Sequence, residues 1–159
     1  MLPTPRLRLR ADPAGLFSTV FRLTDTMTGA RLTQVALARF GFHADFRLDG
    51  VHHEVLRDGW LPTAYRMRSS GGVDCSATRH SIFHRSLEVR RGNESYRLRS
   101  VLFSRTYEIL RAGRSVGTIR PNGPFTRGLT LEAPADFPLE LAIFLIILVV
   151  HLRRIRRRN

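Results

Sequence analysis

Pro138-Leu-Glu-Leu-Ala-Ile-Phe-Leu-Ile-Ile-Leu-Val-Val-His-Leu152 runs directly into Arg153-Arg-Ile-Arg-Arg-Arg158-Asn159. Every residue from Leu141 to Val150 is apolar. A helix over this stretch has no polar face, so it belongs either inside a protein core or inside a bilayer. Length separates the two. Leu139 to Leu152 gives about 21 Å of helix at about 1.5 Å per residue, whereas a bilayer core of about 30 Å asks for about 20 apolar residues. Asp136 and Pro138 mark the helix start, with a carboxylate near the positive end and proline in the first turn. Arg153, Arg154, Arg156, Arg157 and Arg158 suit the negative end of the helix dipole. A spanning helix on a cytoplasmic body would also carry these arginines outward, against the positive-inside tendency. The stretch therefore predicts a core helix over about residues 138–154, centred on Leu141, Phe144, Leu145, Ile147 and Leu148, with a basic tail over residues 153–159. The alternative is an integral membrane protein, anchored by residues 137–152.

Upstream, the chain breaks into strand-length pieces. Thr19 to Thr24 alternates polar and apolar residues, Asp25 to Gly29 supplies a turn, and Arg31 to Ala38 runs back. Phe42 to Leu48, Val51 to Leu56, Ala64 to Arg68 and Val73 to Thr78 follow. Asp49-Gly50 and Asp58-Gly59 are hairpin signals between them. Leu87 to Arg91, Tyr96 to Arg99, Thr106 to Leu110, Val116 to Ile119 and Leu129 to Leu131 complete about eleven strands. No long amphipathic helix interrupts the series, which predicts an antiparallel, mainly β meander. An eleven-stranded can holds a central helix, and about 21 Å of helix matches strands of about six residues at about 3.3 Å each. The expected fold is a closed antiparallel β-barrel over residues 17–152, wrapped around its own C-terminal helix. Residues 1–16, with Pro3, Pro5 and Pro13, are expected to form a flexible arm.

The sequence has 159 residues and a formal net charge of +13, and all 26 of its basic residues are arginine. That suits an anionic partner, either a phospholipid surface or nucleic acid. One cysteine, Cys75, rules out an internal disulfide framework and fits a reducing compartment. Arg6, Arg8 and Arg10 are followed by no apolar stretch of the kind a secretory signal needs. The expected location is cytoplasmic, with peripheral membrane association. In that setting Asn93-Glu94-Ser95 reads as a turn rather than a glycosylation acceptor.

The residues from Tyr107-Glu-Ile-Leu-Arg-Ala-Gly-Arg-Ser-Val-Gly-Thr-Ile119, with Phe125-Thr-Arg127, the approach Asp136 to Pro138 and the terminal apolar helix, resemble the tubby C-terminal-like superfamily. That group includes the LURP-one-related proteins and the phospholipid scramblases. The resemblance covers about residues 17–154 and implies a closed barrel around a hydrophobic helix. Tubby-like members bind phosphoinositides through basic surface residues, and scramblases are tied to calcium and lipids. Neither a phosphoinositide-binding nor a calcium-ligand motif can be matched to positions here, and the arginines straight after the helix depart from the pattern.

Catalytic signatures are missing. The chain has no Gly-x-Ser-x-Gly elbow, P-loop or Gly-x-Gly-x-x-Gly. His80 and His84 with Cys75 match no standard zinc spacing, and Ser81, His84 and Asp74 make a triad only on paper. His52 and His53 would point to opposite faces of a strand. No enzyme activity, metal or cofactor is expected. The candidate anion-binding residues are the helix-end arginines, Arg153, Arg154, Arg156, Arg157 and Arg158, and a stripe of Arg97 and Arg99 flanked by Arg90 and Arg91. The favoured partner is an anionic phospholipid surface; a nucleic-acid-binding barrel is the alternative.

Overall fold

The structure, a computed structural model, describes residues 6–57, 64–70, 72, 75–79 and 86–158. Among them, twelve strands precede one helix: β1 (Arg6–Pro13), β2 (Val20–Asp25), β3 (Arg31–Leu37), β4 (His43–Leu48), β5 (Val51–Arg57), β6 (Ala64–Ser69), β7 (Cys75–Thr78), β8 (Ser86–Arg91), β9 (Glu94–Ser100), β10 (Tyr107–Arg111), β11 (Arg114–Pro121), β12 (Leu129–Pro134) and α1 (Leu139–Arg158). Each strand pairs antiparallel with its chain neighbour, and β1 pairs with β12 from Arg6↔Pro134 to Ala11↔Leu129, closing the barrel.

The strand absent from the sequence reading is β1, which occupies half of the expected arm. Its residues Arg6-Leu-Arg-Leu-Arg-Ala11 alternate strictly, and Leu9 and Ala11 are fully buried. Pro13 stands at the end of the strand, where proline is tolerated. The second correction concerns the tail. Arg153 to Arg158 continue the helix, because arginine is a good helix former and is favoured at the negative end of the dipole.

Along each strand apolar side chains point inward and arginines outward, for example Leu87, Val89, Tyr96 and Leu98 against Arg90, Arg97 and Arg99. Leu141 to Val150 fill the interior, all of them buried, and Leu141, Phe144, Leu145, Ile147 and Leu148 are at most 1% exposed. Their apolar surface is covered by the barrel wall on every side. No helix among the described residues is long and apolar enough to cross a membrane.

Two local devices shape the barrel around the helix. Gly117 has no room for a side chain, since a Cβ there would stand 2.5 Å from the Glu132 carbonyl oxygen. The glycine of the Val-Gly-Thr-Ile stretch is thus needed for β11 to lie close to β12. At the helix start, Arg91 of β8 grips Glu140 through two nitrogens at 2.8 and 2.7 Å. Burial opposes the Arg91 charge, but the hydrogen bond and the charge of Glu140 outweigh it and raise the guanidinium pKa.

Candidate functional site

Antiparallel order sends alternate loops to opposite ends. The end where α1 begins carries short reversals, including Asp49-Gly50 and Ala112-Gly113, whose positive φ values suit mirror-image hairpin turns. The end where α1 finishes carries residues 14–19, 38–42, 101–106 and 122–128. These longer loops are tied to the helix by arginine.

Arg153 donates to the carbonyl oxygens of Thr126 at 3.1 Å and Arg127 at 3.4 Å. Arg154 donates to the Ala38 carbonyl at 3.1 Å, and Arg156 to Ser100 Oγ at 3.2 Å. Arg127 reaches the carbonyls of Gly15, Leu16 and Ser18 at 2.8 to 2.9 Å, and Arg105 reaches that of Pro124. Guanidinium groups suit this work, because several N–H donors in a rigid fork can satisfy several loop carbonyls at once. Arg157 and Arg158 are exposed and have no hydrogen-bond partner among the described residues.

Carboxylates compensate the wall arginines in part, and Arg22, Arg47, Arg90 and Arg120 have no ion pair with a described carboxylate. On the barrel wall, Arg8 pairs with Glu132 at 3.0 Å, Arg97 with Glu88 at 3.7 Å and Arg99 with Glu108 at 2.6 Å. Arg68 and Arg111 pair similarly with Glu54 and Glu94. At the helix-exit end, none of Arg105, Arg127, Arg153, Arg154, Arg156, Arg157 and Arg158 forms an ion pair with a described carboxylate. Burial, and then repulsion by Arg157 and Arg105, lowers the pKa of Arg153; burial, Arg158 and Arg127 do the same to Arg154. Both stay charged, because arginine is not deprotonated in proteins.

A cleft of about 390 Å³ opens here, lined by Arg105, Arg153, Arg156 and Arg157 with Tyr107, Pro124 and Phe125. Tyr107 lies beneath it, its ring 5.9 Å from the Arg156 guanidinium carbon. Its buried hydroxyl has no partner among the described residues, and burial raises its pKa against the pull of Arg156 and Arg153. A cleft of about 490 Å³ on the wall holds Arg90 and Arg97, but Glu88 shares it.

The two candidate arginine groups are therefore not brought together. Arg97 and Arg99 share the outer face as expected, yet each is matched by a carboxylate on a neighbouring strand. Arg105 and Arg127 were not among the candidate anion-binding residues, Arg127 entering only through the Phe125-Thr-Arg127 likeness, although both sit beside glycine or serine in loops that break the strand alternation. His52 is exposed beside Asp45, while His53 is buried and stacked on Phe46, so the two do point to opposite faces. His80, Ser81, His84 and Asp74 lie outside the described residues; Cys75 is buried in β7. The described residues contain no cluster of metal-ligating side chains.

The fold defines a class: a closed twelve-stranded antiparallel barrel threaded by its own C-terminal helix. A crystal structure of an Arabidopsis thaliana protein, AT5G01750, has the same fold, with a TM-score of 0.65 over 93% of this chain and 91% of that one, at 12% identity. No protein-family model matches the chain, and no curated protein sequence matches it.

Proposed function

We propose that this chain is a non-enzymatic, tubby-like barrel of the LURP-one-related kind that docks reversibly on anionic membrane surfaces, helix-exit end first. The observation that carries the proposal is the gathering of arginine at one end: Arg105, Arg127, Arg153, Arg154, Arg156, Arg157 and Arg158 have no ion pair with a described carboxylate and four of them line one cleft, whereas carboxylates match several of the wall arginines, Arg8, Arg97 and Arg99 among them. Anionic headgroups supply the missing counter-charge, at about 1 kcal/mol per arginine close to the surface. The Arabidopsis likeness supports the fold alone, and the tubby-like assignment adds to it the strand-turn-strand of Tyr107 to Ile119.

Sedimentation with vesicles at low salt tests this. The protein should pellet with phosphatidylcholine vesicles that contain phosphatidylserine, stay in solution with phosphatidylcholine alone, and lose most of its affinity as salt rises. A chain that ignores anionic vesicles is not a membrane-docking protein. A chain that instead binds DNA or RNA with steep salt dependence, sensitive to Arg97 and Arg99, is the nucleic-acid-binding barrel.

A further inference from the structure

The same end carries a feature that charge does not explain. Among the described residues, the large exposed apolar side chains are Leu16, Phe17, Met27, Phe40, Leu102, Phe103 and Phe125. All except Met27 stand on four helix-exit loops that the structure describes: Leu16 and Phe17 in residues 14–19, Phe40 in 38–42, Leu102 and Phe103 in 101–106, and Phe125 in 122–128. Phe17 is 85% exposed, Phe40 is 81% exposed, and Phe103 and Phe125 are fully exposed. Single exposed apolar residues are ordinary, but their concentration at one end of a molecule is not.

Phe103 adds a second, independent observation. Its φ is 58°, the left-handed region that is costly for a bulky residue and natural for glycine or asparagine. The backbone thus accepts strain at a loop tip while the ring it displays touches nothing in the fold. Strain of this sort collects at functional positions.

We infer that these loop tips insert into the bilayer, so that the helix-exit end engages lipid through two layers: apolar tips below the headgroups and arginines at headgroup level. The inference rests on the proposed docking of this end on anionic membrane and adds the mode of engagement. The occupant is a lipid surface because the apolar tips share one end with a cluster of arginines, four of them lining a single cleft, that have no ion pair with a described carboxylate. A bilayer interface meets both chemistries together, taking apolar groups to a depth of about 5–10 Å beneath an anionic layer that attracts cations. The arginine stapling holds the loops in place: Arg127 fixes the backbone that bears Leu16 and Phe17, and Arg105 fixes the carbonyl just before Phe125.

The test compares the wild-type chain with the variant Phe17→Ser/Phe103→Asn/Phe125→Ser on vesicles of phosphatidylcholine and phosphatidylserine, at low salt and at about 1 M salt, where the Debye length falls to about 3 Å. Insertion predicts that part of the wild-type protein stays bound in high salt. The variant should release completely in high salt and bind at least about tenfold more weakly in low salt, since affinity scales with inserted apolar area. The single change Phe103→Asn should weaken binding while leaving the melting temperature equal or higher, which separates lost insertion from lost folding. If the triple variant keeps wild-type affinity and salt resistance, insertion is refuted and arginine docking stands. If the wild-type chain fails to bind at low salt, both fall. If the variant changes only the concentration dependence of the protein's mass in solution, the apolar tips are a contact between copies, and insertion is refuted.

Discussion

At the end where α1 enters, the barrel is closed by short hairpins and by the Arg91–Glu140 pair; at the end where α1 leaves, longer loops display phenylalanine above a floor of arginine. Both ends use guanidinium groups. At the entry end Arg91 is matched with a carboxylate, while at the exit end Arg105, Arg127, Arg153 and Arg154 donate to neutral carbonyls and Arg156 to a hydroxyl, contacts that leave the charge in place. Hydrogen bonding and charge compensation are thus separable, and the proposal that the exit end docks on an anionic surface rests on that separation.

The comparison can be broken most severely at the helix itself. A chain ending after Ala135 loses the buried residues Leu141 to Val150 and should neither melt cooperatively nor stay unaggregated, whereas the full chain should melt in one transition. A truncated chain that keeps a cooperative melt would show that the barrel does not need α1.

The next effect distinguishes the exit end by pH. His151 is buried against Phe42, with ring centroids 4.3 Å apart, and its Nε2 has no partner among the described residues. Burial, followed by the charges of Arg57, Arg154 and Arg158, lowers its pKa from 6.5 to about 4. Burial, ahead of the opposed effects of Glu140 and His52, also lowers that of His53. The unfolded chain therefore binds more protons than the folded one between about pH 6.5 and pH 4. Stability is whole above that window and falls as pH drops through it, by about 3 kcal/mol for His151. Urea melts of wild type and His151→Phe at pH 7 and pH 4.5 check this: the variant should lose less stability on acidification, and an equal loss would assign the effect to other groups.

Arg91→Ala probes the entry end. It strips Glu140 of its half-buried partner and should destabilise the fold by about 2 kcal/mol, measured by urea melting. Arg97→Ala, which removes an exposed pair on the wall, should change stability by less than about 1 kcal/mol. Equal effects would erase the distinction between helix anchor and wall charge.

The helix and most strands were legible because their cause is local: an uninterrupted apolar run in α1, and alternation between turn residues from Leu87 onward. The same rule makes Arg6 to Ala11 a strand, but the prolines on both sides of it outweigh the alternation unless the closing partner, β12, is known. The helix-end arginines were visible as a block. What they do was not, since the carbonyls they bind come from loops as distant in sequence as Ala38 and Thr126. Nor does the sequence show that Arg97 and Arg99 face glutamates, because that depends on strand register. The exposed phenylalanines were hidden for a similar reason: in sequence a loop phenylalanine resembles a core one, and only the alternation of loop ends gathers them.

The most direct test of the account sets the two arginine groups against each other. Binding to phosphatidylserine-containing vesicles at low salt is measured for wild type, for Arg157→Glu/Arg158→Glu at the exit end, and for Arg97→Ala/Arg99→Ala on the wall. The account predicts that the exit-end variant loses at least about tenfold in affinity, more than about 1.4 kcal/mol, while the wall variant binds within about twofold of wild type. Loss of binding in the wall variant, with the exit-end variant unaffected, would contradict it.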